Sequence, residues 1–231
     1  LNFSSVGAPW WYDRPAIIVG AGPSLKGFDF NKLKGLGYIV AVNGAMFDLP
    51  FADAWITIDP TFIKSHVDFL GSAGPPLYLP VPAPETSVAP DGKFAPIVER
   101  AIYLKRIRRE DKLSTALDTI ECGGTSGFAA LNLAYLKRAR DIVLFGFDYT
   151  LAKGSHYNDE HYPWWKPGHH NSYWPGWAKG FRPVADQLAA EQIYVANASP
   201  DSAIDAFDKI THEQALEDLE LLADETERLS A

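Results

Sequence analysis

Short apolar runs rich in β-branched residues recur along the chain, and several are continuous rather than alternating. Ala16 to Gly20, Tyr38 to Val42, Ala54 to Ile58, Leu77 to Val81, Ala101 to Leu104, Asp141 to Phe145 and Ile193 to Ala196 share this character. Runs of that length predict strands. Their lack of polar alternation predicts cover on both faces, as in a parallel sheet flanked by helices. Helical patterns lie between them. Thr125 to Leu136 puts Phe128, Leu131, Ala134 and Tyr135 on one face, and Lys137 and Arg138 complement its C-terminal end. Ala178 to Ala190 continues a helical pattern across Pro183. Strands alternating with helices predict an α/β fold of the doubly wound type with a mostly parallel sheet.

Three stretches break the rhythm. Residues 72 to 96 hold seven prolines, which predicts an extended surface excursion. Residues 149 to 177 hold four of the six histidines and four of the seven tryptophans, the composition of a lid or binding loop. Thr211 to Leu229 is acidic, with Leu216, Leu219, Leu222 and Leu229 in a helical stripe suited to docking on the domain or on a second subunit. The expected organisation is a single domain over 1–210 with a lid at 149–177, then a docking helix over 211–231, and a homo-oligomer is compatible with it.

Composition narrows the function classes. At 231 residues, 47% hydrophobic and 22% charged, the chain belongs with folded globular proteins. Twenty-one basic against 29 acidic residues give a net charge of −8, which opposes nucleic-acid or acidic-membrane binding. Cys122 is the single cysteine, so no internal disulfide is expected. No apolar run reaches the length of a transmembrane segment, and a cytoplasmic protein is expected.

The candidate chemistry gathers at strand ends. Gly20-Ala21-Gly22-Pro23-Ser24 follows the first strand, where a doubly wound sheet holds its phosphate-binding loop; the same residues also suit a plain tight turn. It is neither GxGxxG nor a P-loop. Gly123-Gly124-Thr125-Ser126-Gly127 opens a helix, and Thr125 or Ser126 can cap it or share in phosphate binding. Asn43, Asp59 and Asp148 follow strands two, three and six, the positions that face a ligand crevice, although Asn43-Gly44 and Asp59-Pro60 are also turn formers. His156, His161, His169 and His170 lack diagnostic metal-ligand spacing, whereas a general base needs only one imidazole with a suitable pKa.

Ile17-Ile18-Val19-Gly20-Ala21-Gly22-Pro23-Ser24-Leu25, Ala41-Val42-Asn43, Thr125-Ser126-Gly127 and Val143 to Tyr149 recur in this order in the bacterial sialyltransferases of glycosyltransferase family 42, which the chain resembles over roughly residues 15 to 210. It also resembles the 6-hydroxymethylpterin diphosphokinase-like family and the bacteriophage proteins labelled norphogenetic. The sialyltransferase resemblance implies a Rossmann-like fold and metal-independent transfer from a CMP-linked sugar. It assigns Gly20, Gly22, Pro23, Ser24, Asn43, Asp59, Thr125, Ser126 and Gly127 to the nucleotide pocket. Tyr157, or less closely Tyr149, would support the leaving phosphate, and His169 or His170 would act as base. The chain departs from that pattern with Ala21 and Asp59 in place of asparagines and Gly123 in place of an arginine. The expected function is a nucleotide-dependent transferase using a nucleotide sugar, with no cofactor required. Diphosphate transfer from ATP, with Mg²⁺ on Asp59 and Asp148, is the alternative, and a non-catalytic phage or prophage nucleotide-binding module is a third.

Overall fold

The computed structural model describes residues 3–82, 99–108, 111–150, 156–164 and 173–230, with the side chains at 227, 229 and 230 set aside. Nine strands among these residues form one parallel sheet: β1 (Ala16–Val19), β2 (Tyr38–Val42), β3 (Ala54–Ile56), β4 (Leu77–Pro82), β5 (Ala101–Ile107), β6 (Thr119–Glu121), β7 (Asp141–Phe145), β8 (Tyr194–Asn197) and β9 (Asp208–Lys209). Their order across the sheet is β6-β5-β4-β3-β2-β1-β7-β8-β9. The chain winds outward from β1 to β6, then returns to β1's other side with β7. This is a Rossmann-like α/β fold whose direction of winding reverses between β1 and β7.

Each inner strand divides its side chains between two cores, which explains the unbroken apolar runs. Ala16 and Ile18 of β1, Val40 and Val42 of β2, and Ile142 and Leu144 of β7 face one core; Ile17, Val19, Ile39, Ala41, Val143 and Phe145 face the other. The first core is closed by α3 (Ser126–Leu136), by α5 (Arg182–Ala190) through Val184 and Leu188, and by Val6 and Trp11 of the N-terminal segment. The second is closed by α1 (Pro60–Ser65), α2 (Val67–Gly71) and α6 (His212–Ser230), the last through Ala215 and Leu219.

Four sequence expectations change in detail. Helix α3 is buried on all sides except at Tyr135 rather than on one face. Its Lys137 is buried, donating to the carbonyls of Gly7 at 2.6 Å and Pro9 at 3.3 Å, so it ties the N-terminal segment to the helix end. The pattern from Ala178 to Ala190 is broken: α4 (Trp174–Lys179) ends first, and Pro183 falls in the first turn of α5, where its missing N–H is no loss. The proline-rich stretch begins inside the sheet as β4. Tyr78 presents its carbonyl to Thr57 beyond the end of β3, so Pro80 and Pro82, of the same parity, lack donors on a side that β3 no longer reaches. Residues 83–98 lie outside the described set.

Candidate active site

A cavity of about 680 Å³ opens at the C-terminal ends of the strands, beside the winding reversal between β1 and β7. This is the position at which open α/β sheets take ligands. Of the residues singled out from the sequence, Gly20, Gly22, Pro23, Asn43, Asp59, Thr125, Ser126, Gly127 and Tyr149 line it. Ser24, Asp148 and Tyr157 do not, and His169 and His170 lie outside the described residues.

The glycine loop after β1 lines the cavity, but it is not an amide cradle. Gly20 N–H donates to Phe145 O at 2.8 Å and Gly22 N–H to Gly146 O at 2.9 Å, so the loop stays zipped to the end of β7. Ser24 donates through N–H to Asp148 Oδ1 at 3.2 Å and through Oγ to Asp148 Oδ2 at 2.8 Å. Pro23 has no donor. Asp148 is therefore the buried anchor of the loop. Asp59 is placed differently: it lines the cavity and caps α1 by accepting from Thr61 N–H at 2.8 Å. The two carboxylates considered for Mg²⁺ thus occupy different settings, and the described residues contain no cluster of three metal-ligating side chains.

At α3 the donors are better placed. Gly123 and Gly124 take positive φ values of 48° and 85°, and the chain then enters the helix at its cap, Thr125, whose Oγ1 accepts from Phe128 N–H at 3.1 Å. Buried Glu121 holds this turn by accepting from Cys122 N–H at 3.0 Å and Gly123 N–H at 3.1 Å. Ser126 and Gly127, whose first-turn N–H groups a helix leaves without internal partners, line the cavity. Ser126 Oγ accepts from Ile58 N–H at 3.1 Å and joins the helix to the end of β3. Tyr149 OH lies 2.9 Å from Thr125 Oγ1, and burial pushes its phenol well above the ordinary range, so it stays protonated. Of the two tyrosines singled out from the sequence, Tyr149 lines the cavity and Tyr157 does not; Tyr157 OH donates to Asp48 Oδ2 at 2.6 Å.

Residues 156–164 cover the loop after β2. Asn43 adopts φ 51°, and its side-chain oxygen is buried without a hydrogen-bond partner at the cavity wall. Gly44 N–H donates to Tyr162 OH at 2.8 Å, and Gly44 O accepts from Asn158 Nδ2 at 3.0 Å. His156 stacks on Tyr162 at 3.7 Å between ring centroids, with Asp159 Oδ1 at 3.4 Å from its Nδ1. Burial pushes the His156 imidazole down to about 4 against the upward pull of Asp159. Trp164, Trp174 and Trp177 supply aromatic wall.

Sequence reasoning missed Arg106 and Arg108, both of which line the cavity. The signal was available. β5 runs on past Leu104 to Ile107, and the face that carries Ile102 and Leu104 next carries Arg106 and Arg108. Among the described residues the lining thus holds two arginines against one aspartate, in a protein of net charge −8. A Cβ on Gly123 would lie 2.6 Å from the Phe128 ring, at a backbone φ of 48°.

No known family's sequence profile matches the chain, and neither does any curated protein. Among solved structures, the fold is similar to that of the MAf glycosyltransferase from Magnetospirillum magneticum AMB-1, with a TM-score of 0.59 at 14% identity, over 99% of this chain and 39% of that one. The chain thus spans about two-fifths of that glycosyltransferase. The sialyltransferase CstII from Campylobacter jejuni, solved in complex with a substrate analogue, cytidine-5′-monophosphate, gives a TM-score of 0.37 at 14% identity, over 89% of this chain and 86% of that one. The first is a likeness of fold; the second superposition is too loose to argue from. No helix among the described residues is long and apolar enough to cross a membrane.

Proposed function

We propose that the protein is a nucleotide-dependent transferase of the glycosyltransferase class, using a nucleotide-sugar donor. The observation that carries this is the make-up of the cavity: helix-start amides, two arginines, and aromatic walls, all at the winding reversal. The first-turn amides of α3 receive the donor phosphate, because they combine unpartnered donors with the positive end of the helix dipole. Gly20, Ala21 and Gly22 give the nucleotide a cavity wall free of large side chains. The tryptophans offer faces on which a base or sugar ring can stack. The glycosyltransferase fold shared with the Magnetospirillum protein supports the class.

In the reaction so framed, the acceptor oxygen bonds to the sugar's anomeric carbon as the bond from that carbon to the phosphate oxygen breaks. The acceptor proton passes to a lid histidine, His169 or His170, and the released phosphate stays on the α3 amides beside Tyr149. His156 is a poor base for this step. An imidazole held near 4 is neutral at working pH but takes up a proton reluctantly.

A thermal-shift screen of nucleotides and nucleotide sugars, with and without Mg²⁺, tests the proposal. A cognate donor at 100 times its Kd should add about 2.7 kcal/mol of stability. Stabilisation by ATP alone, and only with the metal, would favour diphosphate transfer instead, and Asp59 would then be the carboxylate to replace.

A further inference from the structure

The two cavity arginines have no role in the mechanism above, and their seating is specific. Arg106 Nη1 donates to Ile58 O at 3.2 Å, which holds its guanidinium at the end of β3. Arg108 lies over the bare face of Gly124: its Nη2 is 3.0 Å, and its Cζ 3.2 Å, from the point where a Cβ would stand. Trp177 Nε1 is 3.3 Å from that same point. Only glycine suits this position, for its φ of 85° and for the guanidinium resting on it. The next residue along the chain is Thr125, the cap of α3.

We propose that Arg108, supported by Arg106, is the specificity-determining residue of the cavity, selecting ligands that carry a phosphate at the Gly124–Thr125 end over the same ligands without it. This rests on the nucleotide reading of the cavity and adds the residue that makes phosphate the recognised group. A guanidinium presents two parallel N–H donors that match two oxygens of one phosphate. Packing against the Gly124 backbone places the guanidinium beside the cap of α3 before the ligand arrives, so less side-chain freedom is left to lose on binding. The strand that delivers Arg108 belongs to the sheet, so the group is held by the scaffold rather than by the lid.

The test is calorimetric titration of the full chain with uridine 5′-diphosphate and cytidine 5′-monophosphate, each beside its own nucleoside. The wild type should bind a phosphorylated probe at least about tenfold more tightly than its nucleoside. Arg108→Gln should lower that ratio by about 10- to 100-fold, leave nucleoside affinity unchanged, and flatten the salt dependence of phosphate binding. Arg106→Gln should lower it less. Arg108→Lys, which keeps the charge and loses the planar fork, should fall between the wild type and Arg108→Gln, and it serves as the informative variant if the glutamine form does not fold. A wild type that binds nucleotide and nucleoside equally, or an Arg108→Gln protein that keeps the wild-type ratio, would overturn this inference while the nucleotide reading stood. A wild type that binds none of the four probes would overturn both.

Discussion

The carboxylate of Asp148 occupies the space that a side chain on Gly22 would need: a Cβ on Gly22 would overlap Asp148 Oδ2 and come within 2.5 Å of Gly146 O. The glycine of the first loop is therefore fixed by what packs behind it, as much as by any ligand in front. Gly22→Ala should destabilise the protein by about 1–3 kcal/mol or more, since one of the two clashes is with backbone that cannot swing aside. Asp148→Asn keeps the volume but turns one acceptor of the Ser24 bonds into a donor. It should cost about 1.5–3 kcal/mol, the range for a hydrogen bond to a charged group. Urea denaturation midpoints measure both. Pairing Gly22→Ala with Asp148→Ala should leave most of the glycine variant's loss in place, because Gly146 O remains; full recovery would assign the constraint to the carboxylate alone.

Two tyrosines of the 156–164 segment have unequal expected consequences. Tyr162 lines the cavity and accepts from buried Gly44 N–H at 2.8 Å, so Tyr162→Phe leaves that donor unpaired. A loss of about 1–3 kcal/mol is expected, with faster amide exchange of Gly44. Tyr157 donates instead to Asp48 in a more exposed setting, outside the cavity lining. Tyr157→Phe should cost about 1 kcal/mol or less and leave ligand affinity unchanged. Equal effects from the two would contradict the assignment of Tyr162 as the clamp on the Asn43-Gly44 turn.

The depressed His156 fixes the sign of a pH effect on stability. Its folded value of about 4 lies below the ordinary 6.5, so between those limits the unfolded chain binds more protons than the native one. Stability from this group is then complete above about pH 6.5 and falls as the pH drops toward 4, by at most about 3 kcal/mol. Burial also pushes His161 and His212 down, so the wild-type curve alone cannot isolate one imidazole. The difference between the wild type and His156→Gln does. It should narrow as the pH falls through 6 to 4, and a constant offset would show that His156 titrates normally.

The sheet was legible in the sequence because strands buried on both faces have no polar alternation to obscure them. The β9 pair, Asp208 and Lys209, has no apolar signal at all, and the three residues of β6 are too few to show one. Both are strands only because β8 and β5 present an open edge to them. The cavity lining was legible where it falls just past a strand or at a helix start, as at Asn43, Asp59 and Thr125. It was misread where a polar residue at a strand end turned inward: Asp148 looks like a ligand residue and serves as the loop's buried anchor. Arg106 and Arg108 were missed for the converse reason. The fifth apolar run stops at Leu104, whereas pairing with β4 carries that strand to Arg106 and pairing with β6 to Ile107.

The lid histidines carry the remaining step of the proposed chemistry. A working base must be neutral to accept the acceptor proton, so transfer should accelerate as the pH rises through roughly 6 to 7. Replacing both His169 and His170 with Ala avoids choosing between neighbours, and it should lower kcat by about 10² to 10⁴, the usual contribution of a positioned base. Donor affinity should change little, because the phosphate contacts assigned to α3 and Arg108 lie on the scaffold. His156→Gln should act the other way. An imidazole held near 4 contributes little as a base, so this variant should keep the pH profile of kcat while shifting stability. If the double alanine variant turned over an identified donor and acceptor at the parental rate, and His156→Gln abolished turnover, the base would be His156 and the lid histidines would serve binding alone.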